Sequence, residues 1–303
     1  MREYANFLTY DGKHKRVCEC SCDPRLLGNY FLESTYPYEM SPVFFRPDVL
    51  LKYKADSEKY LLTSRSIRCR NAWDLRTFDI NVAGQIHTYL VYLGQLPHAE
   101  QLYWKSFNEA PKGGISDRAI ATDFHGRFAA ADDPLKDLRA LLWLLTKEDV
   151  AWWTLRSRDL LRVAHYPVTT SRDEWATEIH TLDKLLVEGL EKGELKKQCS
   201  AFGRECESVW GSLRVAEELL VAIGYAQDDA KVLVWPLRQL NAIRSKVSGH
   251  ASGKEGNRVR AQVIKEFRTY KAHYRSVVRA CEVSLKELRD VLHTRVYKPA
   301  ERS

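Results

Sequence analysis

A chain of 303 residues, 45% apolar and 11% aromatic, can bury one large core or two ordinary ones. Its formal charge is +7, no apolar run approaches the roughly 18 residues of a spanning helix, and the opening "MREYANFLTYDGKHKR" has no signal-peptide stretch, so no membrane association and a cytoplasmic protein are expected. Seven cysteines, an odd number unevenly spread, argue against a disulfide framework and for free thiols in a reducing compartment.

In chain order, "HKRVCECSC" first offers His14, Cys18, Cys20 and Cys22 as soft-metal ligands. Zinc sites usually use two-residue gaps, whereas alternate residues of an extended chain point to opposite sides, so a strand with free thiols is the preferred reading and no metal is expected. From about residue 27 to 110 the pattern is mixed. "SIRC", "WDLRTFDI" and "QIHTYLVYL" read as strands, the last two joined by the turn "NVAG", and together they predict a small antiparallel sheet. "PDVLLKYKA" and "PHAEQLYWKSF" each begin with a proline suited to a first helical position and predict short helices on that sheet. Residues 110 to 135, rich in Gly, Ala and Asp, read as a loop and boundary, giving an α+β module over residues 1–130.

Beyond Pro134 the chain reads as helix. "LKDLRALLWLL", "SRDEWATEIHTLDKLLVEGL", "GSLRVAEELLVAIGY" and "PLRQLNAIRSKV" place apolar residues three and four apart, and "NRVRAQVIKEFRTYKAHYRSVVRACEVSLKELRDVLHT" reads as one long amphipathic helix. In that last segment Val263, Phe267, Tyr270, Tyr274, Val277, Cys281, Leu285, Leu288 and Leu292 form the inner stripe, with a basic outer face. Residues 135–303 are therefore expected to form an all-helical bundle. Basic charge concentrates there: residues 231 to 303 hold 17 Lys/Arg against 6 Asp/Glu (+11), while residues 1 to 230 hold 30 against 34 (−4). A localised positive field suits a polyanion such as nucleic acid.

The stretch "LNAIRSKVSGHASG" carries the candidate chemistry. Leu237, Leu240, Ile243 and Val247 pack inward, which puts Asn241, Arg244 and Ser248 on a neighbouring face. In an unbroken helix Arg244 and His250 would stand roughly 240° apart around the axis. Gly249 supplies a residue that can leave helical geometry and turn His250 back toward Arg244. A converged pair could work on a phosphodiester: histidine moves a proton at a ribose 2′-hydroxyl or a leaving oxygen, and the guanidinium clamps the phosphate. Ser245 and Asn241 could orient the pair or bind a phosphate oxygen. Lys246, Arg258 and Arg260 are basic candidates for RNA binding.

An Arg, five residues, then a His at a helix break inside a helical domain resembles the signature of HEPN domains, ribonucleases of toxin and anti-phage defence systems. The resemblance implies an all-α HEPN-like bundle in which Arg244 and His250 are catalytic and Ser245 assists, although the family more often has Asn, Asp or His there. It also implies a homodimer with a composite site, no cofactor, and metal-independent cleavage of RNA by 2′-hydroxyl attack in a bacterial defence or toxin system. The N-terminal module would then sense a trigger or bind a regulatory partner. The alternative is a non-enzymatic basic helical module that binds nucleic acid or a partner protein.

Other motifs carry less. "DFHGRF" sets Asp123 near His125 without a nucleophile elbow, Trp152 and Trp153 read as core, and the chain has neither a G-x-x-x-x-G-K-[ST] loop nor G-x-G-x-x-G after a strand. Nucleotide hydrolysis and dinucleotide redox chemistry are therefore not expected.

Overall fold

The computed structural model of the chain describes residues 2–127, 132–247 and 254–297. The fold divides into two compact units, Met1–Asp132 and Asp133–Ser303. The first is an antiparallel α+β unit and the second is helical.

In the first unit, β1 (Asn6–Asp11) and β2 (Arg16–Ser21) form a hairpin whose turn is held by Asp11, which accepts from the backbone N–H of Lys13 and His14. β3 (Pro42–Phe45) follows, then a proline-led turn and α1 (Leu51–Ala55). β4 (Tyr60–Leu62), β5 (Ile67–Cys69) and β6 (Trp73–Leu75) make a separate three-stranded meander. β7 (Asp79–Ile80) and β8 (Ile86–Tyr89) return to the main sheet, whose order is β2-β1-β3-β8-β7. α2 (Leu90–Gln95) and α3 (His98–Lys105) come next, and β9 (Asn108–Glu109) pairs with β3. α4 (Asp117–Ala119), capped by Ser116, then opens into a wide turn at Ile120–Phe124.

The Asn81–Gly84 turn lies where its sequence places it: Gly84 takes φ +79°, and the N–H of Asn81 reaches the carbonyl of Gln85 at 3.0 Å. Three expectations need correction. "WDLRTFDI" is not one strand, because β6 and β7 belong to different sheets. "QIHTYLVYL" leaves the sheet at Tyr89, where an unbroken apolar run suits a buried helix as well as a strand. Within residues 110 to 135 there is a capped helical turn rather than loop alone. At the centre, Trp104 stands edge-on to Phe45 (centroids 4.8 Å apart), its Nε1–H donates to the Tyr53 hydroxyl at 2.8 Å, and that hydroxyl donates to Glu100 at 2.8 Å.

The second unit runs α5 (Pro134–Lys147), α6 (Arg158–Val163), α7 (Arg172–Leu186), α8 (Lys192–Ala201), α9 (Ser212–Ala222), α10 (Gln227–Val247), α11 (Lys254–Phe267) and α12 (Tyr270–Leu292). Its core draws on Leu138 and Leu142 of α5, Trp175 and Leu182 of α7, Leu219 of α9, Leu237 and Leu240 of α10, and Tyr274, Cys281 and Leu288 of α12. The single long C-terminal helix expected from the stripe is two helices. Arg268 adopts φ +63° and Thr269 caps α12 by accepting from Ala272 N–H, so the periodicity continues across a turn that the stripe alone does not show. α10 begins nine residues before Pro236 and runs through it. Proline removes one backbone donor there, and Ser284 of α12 donates to the nearby Leu233 carbonyl at 2.7 Å.

Charged groups also tie the bundle. Glu217 and Glu218 of α9 are almost fully buried; Arg238 reaches Glu217 at 2.5 Å, while Arg214 and Arg204 reach Glu218, Arg214 at 2.5 Å. Trp152 and Trp153 are core residues, and Gly189 lies directly on the Trp153 indole. A Cβ at 189 would fall 2.3 Å from Trp153 Nε1, so Gly189→Ala is expected to lower stability in urea by about 1–3 kcal/mol through forced displacement of a buried ring. An unchanged midpoint would contradict this packing.

Acid should weaken this unit through His273. Burial pushes its pKa down to about 4 from an ordinary value near 6.5, so the unfolded chain binds a proton that the native ring refuses. That stability is complete above about pH 6.5 and is lost as pH falls toward 4, by at most roughly 3 kcal/mol. Urea titrations at pH 7 and 4.5 should show a smaller acid loss in His273→Gln than in wild type; equal losses would assign the acid sensitivity elsewhere.

Candidate functional site

The candidate site forms where the C-terminal end of α10 lies against α7. Asp183, on α7, is 1% exposed. Burial raises its pKa from the ordinary aspartate value, opposed by a hydrogen bond from Asn241 and by the charge of Arg244. Asn241 Nδ2 donates to Asp183 Oδ1 at 3.1 Å, and one turn further along α10 the Arg244 Nε lies 3.7 Å from Asp183 Oδ2. The same Nε donates to His180 Nδ1 at 3.2 Å, while Nη2 lies 3.7 Å from Glu188. The Arg244 side chain keeps 33% of its surface exposed, so its outer face meets solvent.

This arrangement decides the state of His180. Because the guanidinium can only donate, Nδ1 must be the accepting nitrogen, and the neutral ring carries its proton on Nε2. Burial, together with the positive charges of Lys184 and Arg244, lowers its pKa below the ordinary histidine value. At neutral pH it is an uncharged base beside a cation. An anion binding to Arg244 would compete for that guanidinium and free the Nδ1 lone pair.

The residues singled out in the sequence meet different fates. Asn241 and Arg244 are both drawn to Asp183. His250, with Ser248 and Gly249, lies outside the described residues. Ser245 is exposed and turns its hydroxyl back onto the Asn241 carbonyl at 2.9 Å. Lys246 pairs with Glu255 at 3.3 Å. Arg260 donates from Nη1 to Asn257 at 3.0 Å, and Arg258 is exposed with no ion pair or hydrogen bond to a described residue. His180, Asp183 and Glu188 were not singled out from the sequence. Their signal was present, since "IHTLDK" sets His180 and Asp183 three apart on one flank of an otherwise apolar stripe, but nothing in it linked them to an arginine some 60 residues later.

Elsewhere, Asp123 accepts from Arg65 at 2.8 Å and from the Tyr89 hydroxyl at 3.0 Å, and His125 is exposed. Cys18 and Cys20 bring their sulfurs to 3.6 Å, and Cys22 donates to Gln101 at 3.2 Å. Among the described residues no group of three or more His, Cys, Asp or Glu is arranged to hold a metal ion, and no helix is long and apolar enough to cross a membrane. No protein-family model, curated protein or solved structure matches the chain.

The Arg244–His180 contact has a direct spectroscopic consequence. In Arg244→Gln the His180 pKa, followed by its ring protons in NMR, should rise from its depressed value, because one of the nearby positive charges is gone. An unmoved titration would mean that the two side chains do not meet in solution.

Proposed function

We propose that the helical unit cleaves RNA without a metal ion, by attack of a ribose 2′-hydroxyl on the adjacent phosphodiester. The observation that carries this reading is the Arg244–His180 contact, a half-exposed cation holding an uncharged imidazole. Arg244 binds the scissile phosphate and takes up the charge that develops on its oxygens. His180, released at Nδ1, accepts the 2′-hydroxyl proton; the new bond forms from O2′ to phosphorus as the bond from phosphorus to O5′ breaks. His250 is the proposed proton donor to the departing O5′, a role that rests on the HEPN resemblance. The products are a 2′,3′-cyclic phosphate and a 5′-hydroxyl. Asp183 and Asn241 position Arg244, while Ser245 is not assigned a contact with substrate. The homodimer, the regulatory role of the N-terminal unit and the defence or toxin setting extend this proposal by the same resemblance.

One observation favours the second reading, a non-enzymatic basic module. The charged neighbours of Arg244 are Asp183 and Glu188, so the guanidinium already has an internal role in fastening α10 to α7. Purified wild type, Arg244→Ala, His180→Ala and His250→Ala, each checked for folding by circular dichroism, separate the two when incubated with total RNA and labelled tRNA in EDTA. Under the nuclease reading only wild type yields fragments ending in cyclic phosphate, and each variant loses at least about 100-fold in rate while still retaining RNA. Equal cleavage by all four sinks the mechanism. Salt-sensitive RNA binding without cleavage by a folded wild type would establish the second reading instead.

A further inference from the structure

A cleft of about 700 Å³ opens between α10 and α11, within the size range of small-ligand sites. Ile243 of α10 and Val259 and Val263 of α11 give it aliphatic walls. Its polar lining falls into groups already engaged and groups left over. Lys246 is tied to Glu255 at 3.3 Å, and Gln262 donates to the Glu266 carboxylate. Three lining groups have no partner among the described residues: the Arg258 guanidinium, the Gln239 amide and one nitrogen of His273.

His273 is 5% exposed, wedged edge-on against both Trp175 and Phe267. Trp175 Nε1–H donates to its Nδ1 at 3.2 Å, which fixes the tautomer and leaves Nε2–H as the ring's free donor. With its pKa near 4, the ring stays neutral through the physiological range. The unspent chemistry of the cleft is thus one cation, one amide able to donate and accept, and one buried neutral N–H, set beside aliphatic side chains.

We propose that this cleft is a nucleotide subsite, taking one unpaired base between α10 and α11 with its phosphate at Arg258. The inference rests on RNA being the ligand, as read above, and adds that the protein distinguishes bases. A base supplies what the cleft lacks: an apolar face for Ile243, Val259 and Val263, ring and exocyclic acceptors and donors for His273 and Gln239, and a single negative charge beside Arg258. A free phosphate would leave the aliphatic walls and His273 unused, and a multiply acidic peptide would meet Glu255 and Glu266. A base with the wrong edge leaves Gln239 or the buried His273 ring unpaired, which is how hydrogen-bonding sites discriminate.

The test is calorimetric titration of the full chain with AMP, GMP, CMP and UMP, with inorganic phosphate as the control anion. Wild type should bind at least one nucleotide about tenfold more tightly than another and should not bind phosphate comparably. Arg258→Gln should weaken the preferred nucleotide about tenfold, and Val259→Trp, which fills the cleft from a partly exposed helix position, should abolish its binding. No nucleotide binding at millimolar concentration, equal binding of phosphate, or binding untouched by Val259→Trp would each overturn the proposal. RNA cleavage separates the two readings: nucleotide binding without cleavage sinks the nuclease alone, whereas cleavage with the same base preference in Val259→Trp and wild type sinks the subsite alone.

Discussion

The geometry at the end of α10 depends on the burial of one carboxylate. Asp183 sits in the apolar face of α7 at 1% exposure, in a position where an uncompensated charge would cost several kcal/mol. Asn241 and Arg244, one turn apart on α10, are what compensate it, and because both must reach the same carboxylate the two helices are fixed in rotation as well as in spacing. Arg244 is thereby drawn toward α7, with a third of its side chain still exposed. Held there, it also takes Nδ1 of His180, so the position of the cation and the protonation state of the imidazole follow from one constraint.

The same economy of charge explains why a strongly basic C-terminal quarter does not make a uniformly positive unit. Residues 133 to 303 hold 30 Lys/Arg against 24 Asp/Glu, and two arginines of the last helix are paired with acids of α5 and its C-terminal end. Arg279 reaches Asp137 at 3.2 Å, Arg289 reaches Glu148 at 2.8 Å, and the three arginines around Glu217 and Glu218 neutralise two almost fully buried acids. Such ties fasten α12 to α5 and α9 to its neighbours, and they subtract from the field a ligand would feel. What remains for a polyanion is local, as at Arg258.

How much of this was legible in the sequence depended on range. The Asn81–Gly84 turn is a local matter of one glycine at positive φ between two β-rich runs, and it reads directly. Helices α5, α7, α9 and α10 announce themselves because each must bury one apolar stripe. The stripe through α11 and α12 misleads, since a tight turn at Arg268 and Thr269 preserves the facing of side chains while breaking the helix. The run at residues 85 to 93 misleads for a related reason, because burial of both faces over residues 85 to 90 erases the alternation that separates strand from helix. Arg244 stood out by its spacing from His250. Its actual neighbours did not, because which arginine compensates which buried acid is decided by helix packing between residues 58 to 64 positions apart.

Helix geometry also relates the two proposed binding features. Asn241 and Arg244 lie on one flank of α10, and Gln239, Ile243 and Lys246 lie roughly 160° around the axis, with the buried stripe of Leu237 and Leu240 adjoining the first flank. The two sites are therefore separated by about a helix diameter, 10–12 Å, although both belong to the last turns of the same helix. If both proposals hold, a base in the cleft would not belong to the nucleotide whose phosphate meets Arg244; it would lie further along a strand crossing α10 near its C-terminal end. Binding energy from such a remote base would orient the scissile phosphate without touching the reacting atoms. Sequence preference and bond cleavage would then be separable properties of two faces of one helix, joined only by the strand that spans them.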